Sequence, residues 1–304
     1  MRAAVIGLGT MGPGIAVTLA RAGMDVSAYD AAPAQRERAP QGFAAAKSAL
    51  DALAVPDRGT GAPIAVAETL AACVAGAELV IETVPEQLEL KIKVFGEIEA
   101  AVGPGCILAS DTSGIPITKI QAGCRRPERV VGMHWSNPPH LIPMIEVIPG
   151  ERTDPAVTQA MIGIVRQTGH LPITIRKDVA GFVENRVLYA VMRECLDLVE
   201  QGVIDPADLD ACVSWGIGYK LAVVGPMALL DMAGLDIYQA VASYLNRELC
   251  SRSDVAGAIT ERTAAGRLGL KTGAGMFDYT PERIAELRAE RARKLIAVRK
   301  ALKG

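Results

Sequence analysis

The chain opens with short apolar runs alternating with longer segments whose apolar residues recur every three or four positions. Residues 3–6 are a continuous apolar tetrad, the pattern of a strand covered on both faces. Ile15, Leu19 and Ala22 then repeat at helical spacing until Gly23, and residues 26–30 read as a second strand. The pattern continues with an alanine-rich helix over 34–54, a Pro/Gly loop over 56–63, a short strand at 64–66 and a short helix at 68–75. A buried strand is predicted at 79–84, a helix at 88–102 closed by Gly103-Pro104-Gly105, and a strand at 107–110. Strands follow at 130–134, 144–148 and 171–175, with a helix over 155–168. Beyond Lys177-Asp178 nearly all periodicity is helical, starting with a long segment from Gly181-Phe182 to about residue 199. The tail, 281–303, reads as a charged amphipathic helix on a solvated surface.

Alternating strands and helices followed by helices alone predict an α/β doubly wound domain over residues 1–178 and an all-α domain over 179–304. The first turn carries chemistry. Gly7-Leu8-Gly9-Thr10-Met11-Gly12 stands between strand and helix, and Asp30 closes the second strand. Gly7 permits the tight turn, Gly9 lets backbone approach a pyrophosphate, and Gly12 lets helix pack on strand. The helix N-terminus supplies free N–H groups for phosphates. An acid at position 30 holds a ribose 2′-hydroxyl and repels a 2′-phosphate. The unit is therefore read as Rossmann-type and as binding NAD in preference to NADP, with Arg36 the one nearby cation that argues the other way.

Composition narrows the rest. Of 304 residues, half are apolar and 22% charged, which suits a well-buried core; a net charge of −2 gives no basic surface for nucleic acid. No apolar run reaches the ~20 residues of a membrane span. The six cysteines are far apart with no CxxC, so neither a metal site nor a disulfide framework is expected. The N-terminus enters a strand directly rather than a signal sequence, and a cytoplasmic protein is expected.

Only three histidines exist, at 134, 140 and 170, and a proton acceptor near neutral pH is sought among them. His134 ends a strand, and Glu146 lies in the next strand-like segment, where a buried carboxylate needs a partner. A returning chain would bring carboxylate to imidazole and fix its tautomer. His140 and His170 have no such constellation. Ser113, in Ser110-Asp111-Thr112-Ser113-Gly114, reads equally well as a crevice hydroxyl or as part of a helix cap. Asn185 faces either a cleft or solvent.

These motifs together resemble the L-3-hydroxyacyl-CoA dehydrogenase family along nearly the whole chain. The likeness rests on the glycine motif, VPEQLELK, SDTSGIPIT, GMHWSNPPHLIPMIEVI, KDVAGFVENR, GYKLAVVGPMALLDMAGLD and LKTGAGMFDY. The resemblance implies an NAD-dependent dehydrogenase with His134 as base and Glu146 as its partner carboxylate. It implies that Ser113 and Asn185 hold substrate oxygens, that Glu86, Lys91 and Asn137 lie near the nicotinamide half of the cofactor, and that the chain is a homodimer through its helical domain. Two departures stand out. The family's HFFNP is here His134-Trp135-Ser136-Asn137-Pro138. A lysine-rich segment for coenzyme A is missing, since residues 34–63 hold only Arg36, Arg38, Lys47 and Arg58 as cations. The expectation is therefore a small carboxylate-bearing aldehyde (as its hydrate) or alcohol, as in a branch acting on pyridine aldehyde acids in vitamin B6 breakdown. Arg186 or Lys220 would hold the free carboxylate, or serve as ordinary surface charges. An L-3-hydroxyacyl-CoA substrate is the alternative, and a non-catalytic dinucleotide-binding structural protein is the alternative of another class.

Overall fold

A computed structural model describes residues 1–302; Lys303, the end of the expected tail helix, lies outside them. One eight-stranded sheet organises the first part of the chain: β1 (Arg2–Ile6), β2 (Asp25–Tyr29), β3 (Ala65–Val66), β4 (Leu79–Glu82), β5 (Ile107–Ser110), β6 (Val130–Trp135), β7 (Met144–Pro149) and β8 (Leu171–Thr174). Their spatial order is β3-β2-β1-β4-β5-β6-β7-β8. The six strands from β3 to β6 pair in parallel; β7 runs antiparallel to β6, and β8 parallel to β7. The order reverses between β1 and β4. In doubly wound sheets ligands bind outside the carboxyl ends of the strands at this switch point.

Strand alternation divides the core between the two faces. Ala3 and Val5 point toward α1 (Gly12–Arg21) and the helix over Pro155–Gln167, packing with Ile15, Leu19, Met161 and Val165. Ala4 and Ile6 point the other way, against Val74, Phe95, Ile98 and Ile117. The remaining helices of the sheet region are α2 (Pro33–Ala52), α3 (Leu70–Val74), α4 (Leu88–Ala101), α5 (Ile117–Gln121) and α6 (Pro155–Gln167). Short α5 was not expected from sequence, because its five residues give less than two turns of periodicity. Helices then dominate: α7 (Glu184–Glu200), α8 (Pro206–Cys212), a π-helical turn (Val213–Gly218), α9 (Tyr219–Leu221), α10 (Pro226–Ala233), α11 (Leu235–Leu245), α12 (Gly257–Ala264) and α13 (Pro281–Leu302).

The chain divides into two compact units. One is Met1–Asn185 together with Lys294–Lys300; the other is Arg186–Arg293 with residues 301 and 302. The first unit thus runs beyond residue 178, and hydrogen bonds explain why. Gly181 N–H donates to the Gly114 carbonyl at 3.1 Å, Val183 and Glu184 N–H donate to Glu146, and Asn185 Nδ2 donates to the Ser113 carbonyl at 2.6 Å. The tail helix also departs from a simple solvated surface. Arg299 is buried, and its Nη1 donates to the carbonyls of His140 and Leu141 at 3.2 and 3.0 Å. The second unit contrasts with the first in burial: helices α7 to α12 bury no residue, and Trp215, Met232, Met227 and Tyr189 are exposed.

Candidate active site

The glycine turn is fitted to its strand neighbours. Gly7 has φ +107, and a Cβ there would meet the Thr83 carbonyl oxygen at 2.6 Å. A Cβ on Gly12 would collide with the Gly7 carbonyl oxygen. A Cβ on Gly9 would meet nothing within 4 Å, so this backbone borders open space. Met11 precedes α1 without a side-chain cap, and among the described residues the first N–H groups of the helix have no side-chain acceptor there. Open space, uncapped N–H groups and the helix dipole suit a pyrophosphate. Thr10 is exposed and Met11 half-buried on the same turn.

Asp30 follows β2 and pins this turn. Its Oδ2 accepts from Leu8 N–H at 2.7 Å and its Oδ1 from Ala32 N–H at 2.8 Å. Arg36, the cation that would favour a 2′-phosphate, is occupied. Its Nη1 donates to the Asp30 carbonyl at 2.8 Å, its Nη2 reaches Glu68 at 3.3 Å, and its guanidinium lies over the Tyr29 ring.

The antiparallel pairing of β6 and β7 places His134 directly opposite Glu146. Residues so paired share a face of the sheet. His134 Nδ1 lies 2.7 Å from Glu146 Oε2, and both residues are buried. The other carboxylate oxygen, Oε1, accepts from the N–H groups of Val183 and Glu184 at 3.0 and 3.1 Å. Phe182 sets up those donors: it has φ +50, a left-handed conformation costly for a bulky side chain, and its ring sits 5.6 Å from the His134 ring. Nδ1 therefore carries the proton shared with Glu146, and Nε2, which has no hydrogen bond among the described residues, is the acceptor.

Electrostatics supports that role. Burial pulls the His134 pKa down, but the hydrogen bond to Glu146 and the charges of Asp111, Glu146 and Glu184 outweigh it, leaving it above its ordinary value. Burial pushes Glu146 up, yet His134 and the two N–H donors hold it below the usual carboxylate range. Asp111 is pushed up to about 7, chiefly by burial, while its Oδ1 accepts from Trp135 N–H at 2.8 Å.

A second buried cluster lies beside the first. Lys91 Nζ donates to Glu82 Oε1 at 2.8 Å and to the Val84 carbonyl at 3.2 Å, and pairs with Glu86 at 3.4 Å. Glu82 also accepts from Ser110 Oγ and Val84 N–H, both at 2.7 Å. Glu86 Oε1 gathers Thr112 Oγ1 and the N–H groups of Ser113, Gly114 and Ile115. Glu86 and Lys91 thus shape the loop that presents Ser113, which is exposed and held through its carbonyl by Asn185. Asn137 is exposed just after β6, and the Asn137–Pro138 peptide is cis. His170 is buried against Trp135 and bonded to Thr168 and Pro139, and His140 belongs to the loop held by Arg299.

Several participants escaped the sequence reading. Asp111, Phe182 and Glu184 were not singled out as site residues, nor was Glu82. Glu82 carried the same signal as Glu146, a carboxylate inside an apolar strand.

Residues 2–179 match the 3-hydroxyacyl-CoA dehydrogenase NAD binding domain, and residues 181–279 match the 3-hydroxyacyl-CoA dehydrogenase C-terminal domain. The chain belongs to the 3-hydroxyacyl-CoA dehydrogenase family. It is an NAD-dependent dehydrogenase with a small-molecule substrate. It is 58% identical over 303 residues to the 5-formyl-3-hydroxy-2-methylpyridine 4-carboxylate 5-dehydrogenase of Mesorhizobium japonicum, covering 99% of this chain and 98% of that protein. The crystal structure of a 5-dehydrogenase for that acid, described as an NAD+-dependent dismutase, superposes with a TM-score of 0.97 at 57% identity, over 100% of this chain and 98% of that one. The (S)-3-hydroxybutyryl-CoA dehydrogenase of Ralstonia eutropha superposes with a TM-score of 0.70 at 33% identity, over 92% and 99% of the two chains.

Proposed function

We propose that this dehydrogenase oxidises a small carboxylate-bearing aldehyde, taken as its hydrate, and that 5-formyl-3-hydroxy-2-methylpyridine-4-carboxylate is its substrate. The observation that carries the reading is 58% identity, without large gaps in coverage, to an enzyme named for that substrate. Ser136 in the base motif and the few cations over residues 34–63 are consistent with it.

In this reading Gly7, Gly9, Thr10, Met11, Gly12 and Asp30 hold the adenosine and pyrophosphate half of NAD, and Glu86, Lys91 and Asn137 shape the nicotinamide side. Bound NAD supplies the hydride acceptor. His134 Nε2 takes a hydroxyl proton from the hydrate, and the C–H bond breaks as the carbonyl forms. Glu146 steadies the imidazolium, and Ser113 and Asn185 hold the substrate's oxygen functions. Run in reverse on the unhydrated aldehyde, His134 returns its proton and an alcohol forms, which is the other half of a dismutation.

Residues 1–178 serve cofactor binding and catalysis in this scheme, and the helical residues 179–304 serve substrate selection and homodimer formation. The apolar side chains left exposed on α7, α10 and α11 support self-association. Six cysteines without a disulfide suit the cytoplasm. NADH absorbance during turnover tests the substrate: the pyridine aldehyde with NAD should give product, and acetoacetyl-CoA with NADH should give little. A kcat/KM of about 10⁶ M⁻¹s⁻¹ on the thioester would make this an acyl-CoA enzyme instead.

A further inference from the structure

Glu184 sits at the start of α7 and faces the catalytic pair. Its backbone N–H helps orient Glu146, and its side-chain Oε1 accepts from Ser136 Oγ at 2.6 Å. Its other oxygen, Oε2, is buried and has no hydrogen-bond partner among the described residues. A carboxylate oxygen of Glu184, a ring nitrogen of His134 and a carboxylate oxygen of Glu146 all lie within 4.8 Å of one another. Buried polar atoms in folded proteins nearly always have partners, so an open acceptor beside a catalytic base needs a reason. Glu146 cannot supply the same service, because both its oxygens are committed. Asp111 is committed through Oδ1 to the Trp135 backbone. The donor that holds Glu184 is itself a departure from the family: Ser136 stands where HFFNP has its second phenylalanine.

The chemistry supplies a reason. Oxidising an alcohol to a carbonyl releases one proton. Oxidising an aldehyde hydrate to a carboxylate releases two: RCH(OH)₂ + NAD⁺ gives RCOO⁻ + NADH + 2H⁺. His134 accounts for one. We propose that Glu184 is the second proton acceptor of the site: its unpartnered Oε2 receives a hydrogen bond from the hydroxyl that His134 does not take, and it accepts that proton as the acid forms. The electron pair of the C–H bond leaves with the hydride, the first O–H pair closes the carbonyl, and the second O–H pair stays on the product oxygen. Reduction of the unhydrated aldehyde needs one proton, from His134, and does not use Glu184.

This inference rests on the aldehyde reading above, and its test separates the two. Oxidation of 5-formyl-3-hydroxy-2-methylpyridine-4-carboxylate with NAD, and its reduction with NADH, are measured on wild type, Glu184→Gln and Ser136→Ala. Glu184→Gln should lower kcat for oxidation about 10²-fold and for reduction less than about threefold. Ser136→Ala should shift the oxidation-to-reduction ratio in the same direction by a smaller factor, and it carries the test if Glu184→Gln does not fold. If Glu184 acted only through the charge it lends His134, both directions would change together. An unchanged ratio in a folded variant overturns the proposal while leaving the substrate assignment standing. No turnover of the aldehyde by wild type in either direction overturns the substrate reading, and this proposal with it.

Discussion

Two buried carboxylate–cation pairs lie at the carboxyl end of the same sheet, and they differ in one respect. Glu82–Lys91 is closed: the ammonium meets Glu82, Glu86 and a carbonyl, and Glu82 is filled by Ser110 and a backbone N–H. Glu146–His134 is open: the carboxylate is filled, but the imidazole keeps Nε2 without a partner among the described residues. Both pairs bear the desolvation cost of buried charge. A pair with every atom satisfied fixes a loop. A pair with one nitrogen left over can move a proton. Chemistry resides in the unsatisfied atom rather than in the residue types.

Removal of the open pair's imidazole should have the largest effect. His134→Ala should lower kcat by about 10²–10⁴-fold while NAD still binds, as read by cofactor fluorescence titration. Near-full activity would erase the distinction between the pairs. Glu82→Gln should instead register as instability, because it leaves the Lys91 ammonium short of its main partner; breaking a buried pair costs about 3–5 kcal/mol, measurable by urea unfolding. A loss under about 1 kcal/mol would mean that Glu86 suffices to hold Lys91.

The open pair also has a pH signature. The His134 pKa is raised above 6.5, so the base becomes competent only as pH climbs past that value, and the acidic limb of kcat/KM should lie above pH 6.5. The sign for stability is opposite. A raised histidine contributes fully below 6.5 and loses that contribution as pH rises through its folded value; a depressed Glu146 contributes above 4.5 and loses it as pH falls. The pair thus stabilises the fold most between 4.5 and 6.5, where the base is protonated and idle. Asp111→Asn removes one of the charges that hold His134 up, and the acidic limb should move to lower pH. A limb that stayed put would dismiss Asp111 from the coupled set.

The smallest expected effect concerns a carboxylate of neither pair. Asp30 accepts from the backbone N–H groups of Leu8 and Ala32. Wild type should prefer NAD over NADP by at least about tenfold in kcat/KM, roughly 1.4 kcal/mol, and Asp30→Ala should narrow that gap. Equal use of both cofactors by wild type would contradict the assignment.

Much of this was legible in the chain, for physical reasons. The inner strands, buried on both faces, read as apolar runs, and the largely exposed edge strands β3 and β8 were visible as short apolar segments between a loop or helix and the next turn. The Gly7–Gly12 turn was legible because backbone approach leaves glycine no substitute. His134 and Glu146 were each visible, one as a rare residue and the other as a misplaced charge. Their pairing depended on the register of β6 with β7, which an irregular loop sets and no periodicity records. Asp111, Phe182 and Glu184 were hidden for a related reason: they act through backbone N–H groups, a left-handed φ or a contact across 48 residues, as between Ser136 and Glu184. Arg299 was hidden in a helix whose charge pattern resembles any solvated surface.

Arg299 also bears on how the molecule comes to be made. Residues 294–300 belong to the first unit, yet they are translated after residues 186–293 of the second. Until they emerge, the carbonyls of His140 and Leu141 lack their guanidinium donor across a separation of about 160 residues. The loop that follows His134 therefore gains this clamp only after residue 299 has left the ribosome, more than a hundred residues after the last strand of the sheet.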